Sequence, residues 1–157
     1  MARIVVGLIS DTHGLVRPDV QRVFSGVELI LHAGDVGGAA VLEALAKIAP
    51  TEAVYGNVDD PHDPALAPER VVRIGSITIH VSHGHELGRP TPALLLERYR
   101  GDVLVFGHTH RATVHPAGRR LCINPGAAGP RRFNLQPSVA RLTIEDATTH
   151  VDVVSLA

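Results

Sequence analysis

Cysteine is nearly absent: Cys122 is the only one in 157 residues, which rules out an internal disulfide framework and any cluster of thiolates around a metal. Tryptophan is missing and aromatics amount to 3%, so a core must be built from Val, Ile, Leu and Ala. No charge of one sign dominates. A net charge of −1 gives no electrostatic case for a nucleic-acid partner. Long hydrophobic runs are lacking too, since none approaches the roughly 20 residues needed to span a bilayer. The N-terminal run Ile4 to Ile9 is short and passes into Ser10-Asp11 without a small-residue cleavage site. It reads as a first buried strand rather than a signal peptide, and the cytoplasm is the expected compartment.

What is present is a 45% hydrophobic chain of a length that suits one compact domain over residues 1–157. Strand–loop–helix units open it. Ile4 to Ser10, Leu29 to Ala33 and Ala53 to Tyr55 are short apolar runs suited to strands. Helical patterns follow the first two, from Pro18 and from Val41 to Ile48. After a loop by composition at Asp59 to Pro64, extended by Pro68, hairpins are expected around Gly75 and Ala117-Gly118, with a helix capped by Thr91 between them. Val103 to Phe106, Val139 to Ile144 and His150 to Leu156 complete about ten strands and three helices. The expected fold is α/β: two stacked mixed β-sheets flanked by helices, a four-layer αββα sandwich.

Five short fragments rich in metal-ligating side chains each follow an apolar run: Asp11-Thr12-His13, Gly34-Asp35, Gly56-Asn57, His83-Gly84-His85 and Gly107-His108-Thr109-His110. In open α/β sheets the carboxyl edge of the strands is where ligands bind. In an extended backbone, residues two apart point the same way, so Asp11 with His13 and His108 with His110 can each present a chelating pair. Singly, each fragment has an ordinary explanation, such as a helix cap at Asp11 or Asp35 or a turn at Asn57. Jointly they point to a two-metal hydrolytic site.

The ordered set resembles the calcineurin-like metallophosphoesterase superfamily, whose motif order is D-x-H, GD, GN, H and GHxH. Asn124-Pro125-Gly126 and Pro130-Arg131 also fit its small single-domain phosphodiesterase branch. The resemblance implies that Asp11, His13 and His110 hold one divalent metal and that Asn57, His83 and His108 hold a second, with Asp35 bridging both. The reaction it implies is attack on phosphorus by a metal-bridging hydroxide. Four imidazoles, one amide and two carboxylates favour Mn, Fe, Co, Ni or Zn over Mg or Ca, and Mn is the leading expectation.

Asp35 and His85 are the candidate catalytic residues, with His85 lying near the metals or facing substrate. Arg131 and Arg132 are candidate phosphate contacts or simple surface charge. His32 is expected to be structural, and Cys122 to fill the core. Larger members of the superfamily carry a proton-donating histidine after the Gly-Asn motif. Val58 stands there, and Asp59 beside it is the nearest acid. The expected partner is a small phosphoester, most of all a phosphodiester. The alternatives are a phosphomonoesterase or a non-catalytic scaffold like the retromer subunit of the same fold. Oligomeric state is left open.

Overall fold

The computed structural model describes residues 3–157. Among them are eleven strands, three α-helices and one short 3₁₀ turn. One sheet holds six strands in the order β11 (Thr148–Ser155), β10 (Ser138–Glu145), β1 (Arg3–Ile9), β2 (Leu29–His32), β3 (Thr51–Val54) and β4 (Leu66–Ala67). The other holds β5 (Arg70–Ile74), β6 (Ile77–Val81), β7 (Val103–Val105), β9 (Arg120–Asn124) and β8 (Thr113–Ala117). In the first sheet β1-β2-β3-β4 run parallel, with antiparallel β10 beside β1 and β11 beyond it; in the second β6-β7-β9 run parallel, flanked by antiparallel β5 and β8.

The layers follow from side-chain alternation along these strands. Val6, Leu8 and Leu31 of the first sheet meet Ile79, Val81, Val103 and Val105 of the second in a core between the sheets. The alternate residues Ile9 and Ile30 face outward and pack on Val20, Phe24, Val41 and Leu45. These come from α1 (Asp19–Val23), its C-cap Phe24 and α2 (Ala39–Ala46). On the far side Leu104, Phe106 and Cys122 pack on Leu95 of α3 (Pro92–Arg98). Because central strands are buried on both faces, they read in sequence as continuous apolar runs. Thr91 caps α3 by accepting from the Leu94 N–H. The expected four-layer sandwich is therefore the observed one.

Two elements escaped the sequence reading. β4 is only two residues long and sits in the Pro-rich stretch read as loop. The 3₁₀ turn His85–Leu87 is too short to have a period. No helix among the described residues is long and apolar enough to cross a membrane.

Candidate metal centre

All five fragments leave the carboxyl ends of strands, three from the first sheet (β1, β2, β3) and two from the second (β6, β7). Stacking the sheets brings these ends together. Backbone bonds then fasten the loops to one another. The N–H groups of Asp11, His13 and Gly14 donate to the carbonyls of Gly34, Asp35 and Val36, and the Gly107 N–H donates to the His83 carbonyl.

The chelating pairs do not arise from extended backbone, contrary to the sequence expectation. Asp11, His13, Asp35, His108 and His110 all have φ between 46° and 71°, in the left-handed region. Sharp turns, rather than a continued strand, aim these side chains inward. Each such non-glycine residue costs on the order of 1 kcal/mol or more, and strain of this kind persists only where surrounding structure enforces it. The loop-to-loop bonds above supply that enforcement.

Two glycines make room for the ligands. A Cβ on Gly56 would overlap Asp35 Oδ1, and one on Gly107 would overlap Ser10 Oγ and stand 2.7 Å from Asp11 Oδ2. The glycine of one motif thus seats the carboxylate of another.

The structure brings all seven candidate ligands together. Asp11 Oδ1 lies 3.4 Å from His110 Nε2 and 3.9 Å from His13 Nε2. Asn57 Oδ1 lies 3.1 Å from His83 Nε2 and 3.2 Å from His108 Nδ1. Asp35 Oδ2 stands between the two groups, 3.6 Å from His13 Nε2 and 3.4 Å from His83 Nε2. The carboxylates are otherwise engaged through their other oxygens. Asp11 Oδ2 accepts from Ser10 Oγ at 2.6 Å and from the His108 N–H, while Asp35 Oδ1 accepts from the Val58 N–H.

Several observations fit divalent cations at this place. Asp11 Oδ1 and His13 Nε2 are buried with no hydrogen-bond partner, a costly condition that a metal relieves. His83 Nδ1 donates to the Ala33 carbonyl at 2.8 Å, which leaves only a lone pair on Nε2 of the neutral ring. That lone pair faces Asn57 Oδ1 and Asp35 Oδ2, which are acceptors themselves. A cation at this point, or a proton on Nε2, relieves the convergence of acceptors. Sets of side-chain atoms from Asp11, His13 and His110, and from Asp11, Asp35 and His83, each lie within 4.8 Å of one another.

Titration behaviour agrees with this picture. Burial alone would raise the Asp35 carboxyl, but the His83 and His13 rings and the Val58 N–H outweigh it and bring the pKa down to about 2. Asp11 is likewise lowered, because His110, His83 and Ser10 overcome its burial. His13 and His108 are lowered chiefly by burial, which favours the neutral, ligating form. His83 runs the other way: burial opposes its charge, but Asp35 and Asp11 prevail and raise it, so without a metal a proton competes for Nε2.

Neighbouring residues have distinct places. His85 sits beside the centre with its ring 5.3 Å from that of His83, and its Nδ1 is buried without a hydrogen-bond partner. It is not among the converging ligands. Asp59 is not a free acid. Its two oxygens accept from the N–H groups of Val36, Gly37 and Gly56, tying the Gly34-Asp35 and Gly56-Asn57 loops together. This corrects the acid role considered from sequence. His32 is structural: Nδ1 accepts from the Gly34 N–H and Nε2 donates to Thr12 Oγ1, which donates to the Val36 carbonyl.

Arg131 and Arg132 are exposed near the tip of a loop, with Arg132 near enough to His13 to disfavour its charge. Asn124 supports the site from below, its Nδ2 donating to the Gly107 carbonyl and Thr109 Oγ1. Sequence reasoning missed Phe133, whose ring centroid is 5.9 Å from that of His110, because no motif leads to it.

Comparison with known proteins gives the family and the fold. Residues 4–147 match the model of the calcineurin-like phosphoesterase superfamily domain. A probable metallophosphoesterase of Methanothermobacter thermautotrophicus is 32% identical, covering 96% of this chain and 92% of its own length. The phosphodiesterase YfcE of Escherichia coli is 32% identical over 75% of this chain and 76% of its own. Among solved structures, Vps29 from Cryptosporidium parvum has a TM-score of 0.80 at 24% identity, covering 99% of this chain and 98% of its own. At that identity the likeness concerns the fold alone.

Proposed function

This chain belongs to the calcineurin-like phosphoesterase superfamily, and from that membership we propose that it is a metal-dependent phosphodiesterase working at a two-cation centre. The observation that carries the reading is the position of Asp35 Oδ2, midway between an imidazole of each ligand group. Asp11, His13 and His110 would hold one cation, Asn57, His83 and His108 the other, and Asp35 both. When bound, the pair supplies positive charge to the phosphoryl oxygens and lowers the pKa of water.

The chain's own residues set the rest. Asp35 remains ionised down to about pH 2, so it is available as a ligand throughout the physiological range. Ser10 and the Val58 N–H each bind one oxygen of a carboxylate and leave the other directed inward. Val58 is 55% exposed beside the centre and has no proton to give. Asp59 is occupied by three N–H donors. We assign the substrate-facing role to His85, an imidazole outside the ligand set whose ring lies beside that of His83.

The test is hydrolysis of bis(4-nitrophenyl) phosphate against 4-nitrophenyl phosphate after metal removal and reloading. The diester should be favoured, and Mn²⁺ should restore more activity than Mg²⁺ at matched occupancy, because four imidazoles suit borderline cations. The second reading is the non-catalytic interaction scaffold, since the fold shared with Vps29 does not itself distinguish scaffold from enzyme. Metal binding alone does not separate the two, since a Vps29 from Entamoeba histolytica has been solved with zinc. Failure of the metal-loaded protein to hydrolyse either ester would favour the scaffold.

A further inference from the structure

A cavity of about 480 Å³ adjoins the metal centre and shares His108 and Thr109 with it. That volume lies within the range that accepts a small organic group. Its walls come from three separate stretches: Arg89 and Pro90 before α3, Phe106 and Arg111 around the histidine-rich loop, and Phe133 from a distant loop. Phe106 is buried at the base, whereas Phe133 is 75% exposed. Phe133 and Asn134 both have positive φ, at 54° and 55°. A chain with only three phenylalanines thus holds one in solvent, on a strained turn, beside a candidate metal ligand.

The polar groups of the cavity sort into committed and uncommitted. Thr91 Oγ1 caps α3, Thr109 Oγ1 accepts from Asn124 and the Arg111 N–H, and Thr113 Oγ1 donates to the Arg111 carbonyl. The arginine ion pairs among the described residues are those of Arg22 and Arg70, so the guanidinium groups of Arg89 and Arg111 have no carboxylate partner. Two free guanidinium groups and an exposed ring therefore line one space that opens on the proposed reaction centre. Guanidinium recognises carboxylate and phosphate, and aromatic rings pack on one another or under a cation.

We infer that this cavity is a substrate subsite for a planar aromatic group carrying a second anion, so that the phosphoester taken at the centre is an aryl or heteroaryl ester with an additional carboxylate or phosphate. The inference rests on the phosphoesterase reading of the adjoining centre. Phe133 receives the ring above the base that Phe106 closes, and Arg89 with Arg111 receives the anion. Simple alkyl diesters would gain neither the ring contact nor the arginine contact.

The experiment is calorimetric titration of the manganese-loaded protein with methylphosphonate, phenylphosphonate and 3-carboxyphenylphosphonate, none of which is hydrolysed. Kd should fall about threefold or more on adding the ring and about tenfold more on adding the carboxylate. In Phe133→Ala the ring step should shrink. In the double variant Arg89→Gln with Arg111→Gln the carboxylate step should vanish. Each step is a ratio within one protein, so partial loss of folded material does not produce it. Absence of either step in the wild type, or its persistence in the matching variant, overturns the subsite. Turnover of bis(4-nitrophenyl) phosphate by the same preparation reports on the centre separately. Turnover without the steps removes the subsite alone, and the steps without turnover remove the phosphoesterase reading while the anion-and-ring site stands.

Discussion

Gly56 packs so closely against Asp35 that a Cβ on the glycine would overlap the Asp35 Oδ1 atom and backbone nitrogen. The Gly-Asn motif thus acts on the Gly-Asp motif by leaving space, and the Val58 N–H then fixes the carboxylate in that space. Gly56→Ala should displace Asp35, weaken metal binding at both positions and lower stability by about 1–3 kcal/mol through overpacking. Metal content after dialysis and a urea unfolding curve measure the two effects. Full metal content in a normally stable Gly56→Ala protein would contradict the steric account.

Asp59 is expected to matter for structure and not for proton transfer. Asp59→Ala leaves three backbone N–H groups without their acceptor, costing roughly 2–4 kcal/mol. The urea midpoint should fall, while the dependence of rate on the leaving group keeps its slope. Unchanged stability together with a steeper slope would restore the acid role.

His32 gives the metal-free protein a pH-dependent stability. Burial lowers its pKa to about 4 in the folded state, whereas the unfolded chain protonates it near 6.5. Between those values the unfolded state binds more protons. Stability from this group is therefore complete above about pH 6.5 and is lost as pH falls toward 4, by about 3 kcal/mol. Asp35 acts in a lower window, its contribution being lost as pH falls from 3.8 through about 2. Urea unfolding of wild type and His32→Gln at pH 7.5 and 4.5 isolates the histidine. The wild-type advantage should shrink at the lower pH, and a constant difference would show that His32 is not the titrating group.

Much of this was legible in the sequence because it is local. Each motif directly follows an apolar run, and each such run is a strand, so the order of the candidate ligands and the carboxyl-edge location could be read residue by residue. The stacking of the two sheets was legible in the same way, from continuous apolar runs such as Ile4 to Ile9. The means of aiming the ligands was not legible. An Asp-x-His spacing looks alike whether the backbone continues as a strand or turns left-handed, and only the structure shows positive φ at Asp11 and His13. Nor does sequence show that Asp59 ties two loops, since its partners at Val36 and Gly37 are more than twenty residues away. Phe133, Arg89 and Arg111 stand together only after folding.

The valine after the Gly-Asn motif predicts a particular leaving-group behaviour. With Val58 unable to donate a proton, aryl diesters should turn over much faster than alkyl diesters, because a well-placed general acid is typically worth about 10²–10⁴-fold. Measuring kcat/KM across substituted phenyl and alkyl diesters, where chemistry limits the rate, gives the slope. A flat dependence would identify another donor, and His85→Ala should then make it steep.

The bridging role of Asp35 is the centre of the account. A crystal structure of the manganese-loaded protein, with anomalous scattering to locate the metal, tests it most directly. The account predicts two cations in each chain, one held by Asp11, His13 and His110, the other by Asn57, His83 and His108, with Asp35 touching both. A single cation at full occupancy, or an Asp35 side chain turned away from either of two, would contradict it.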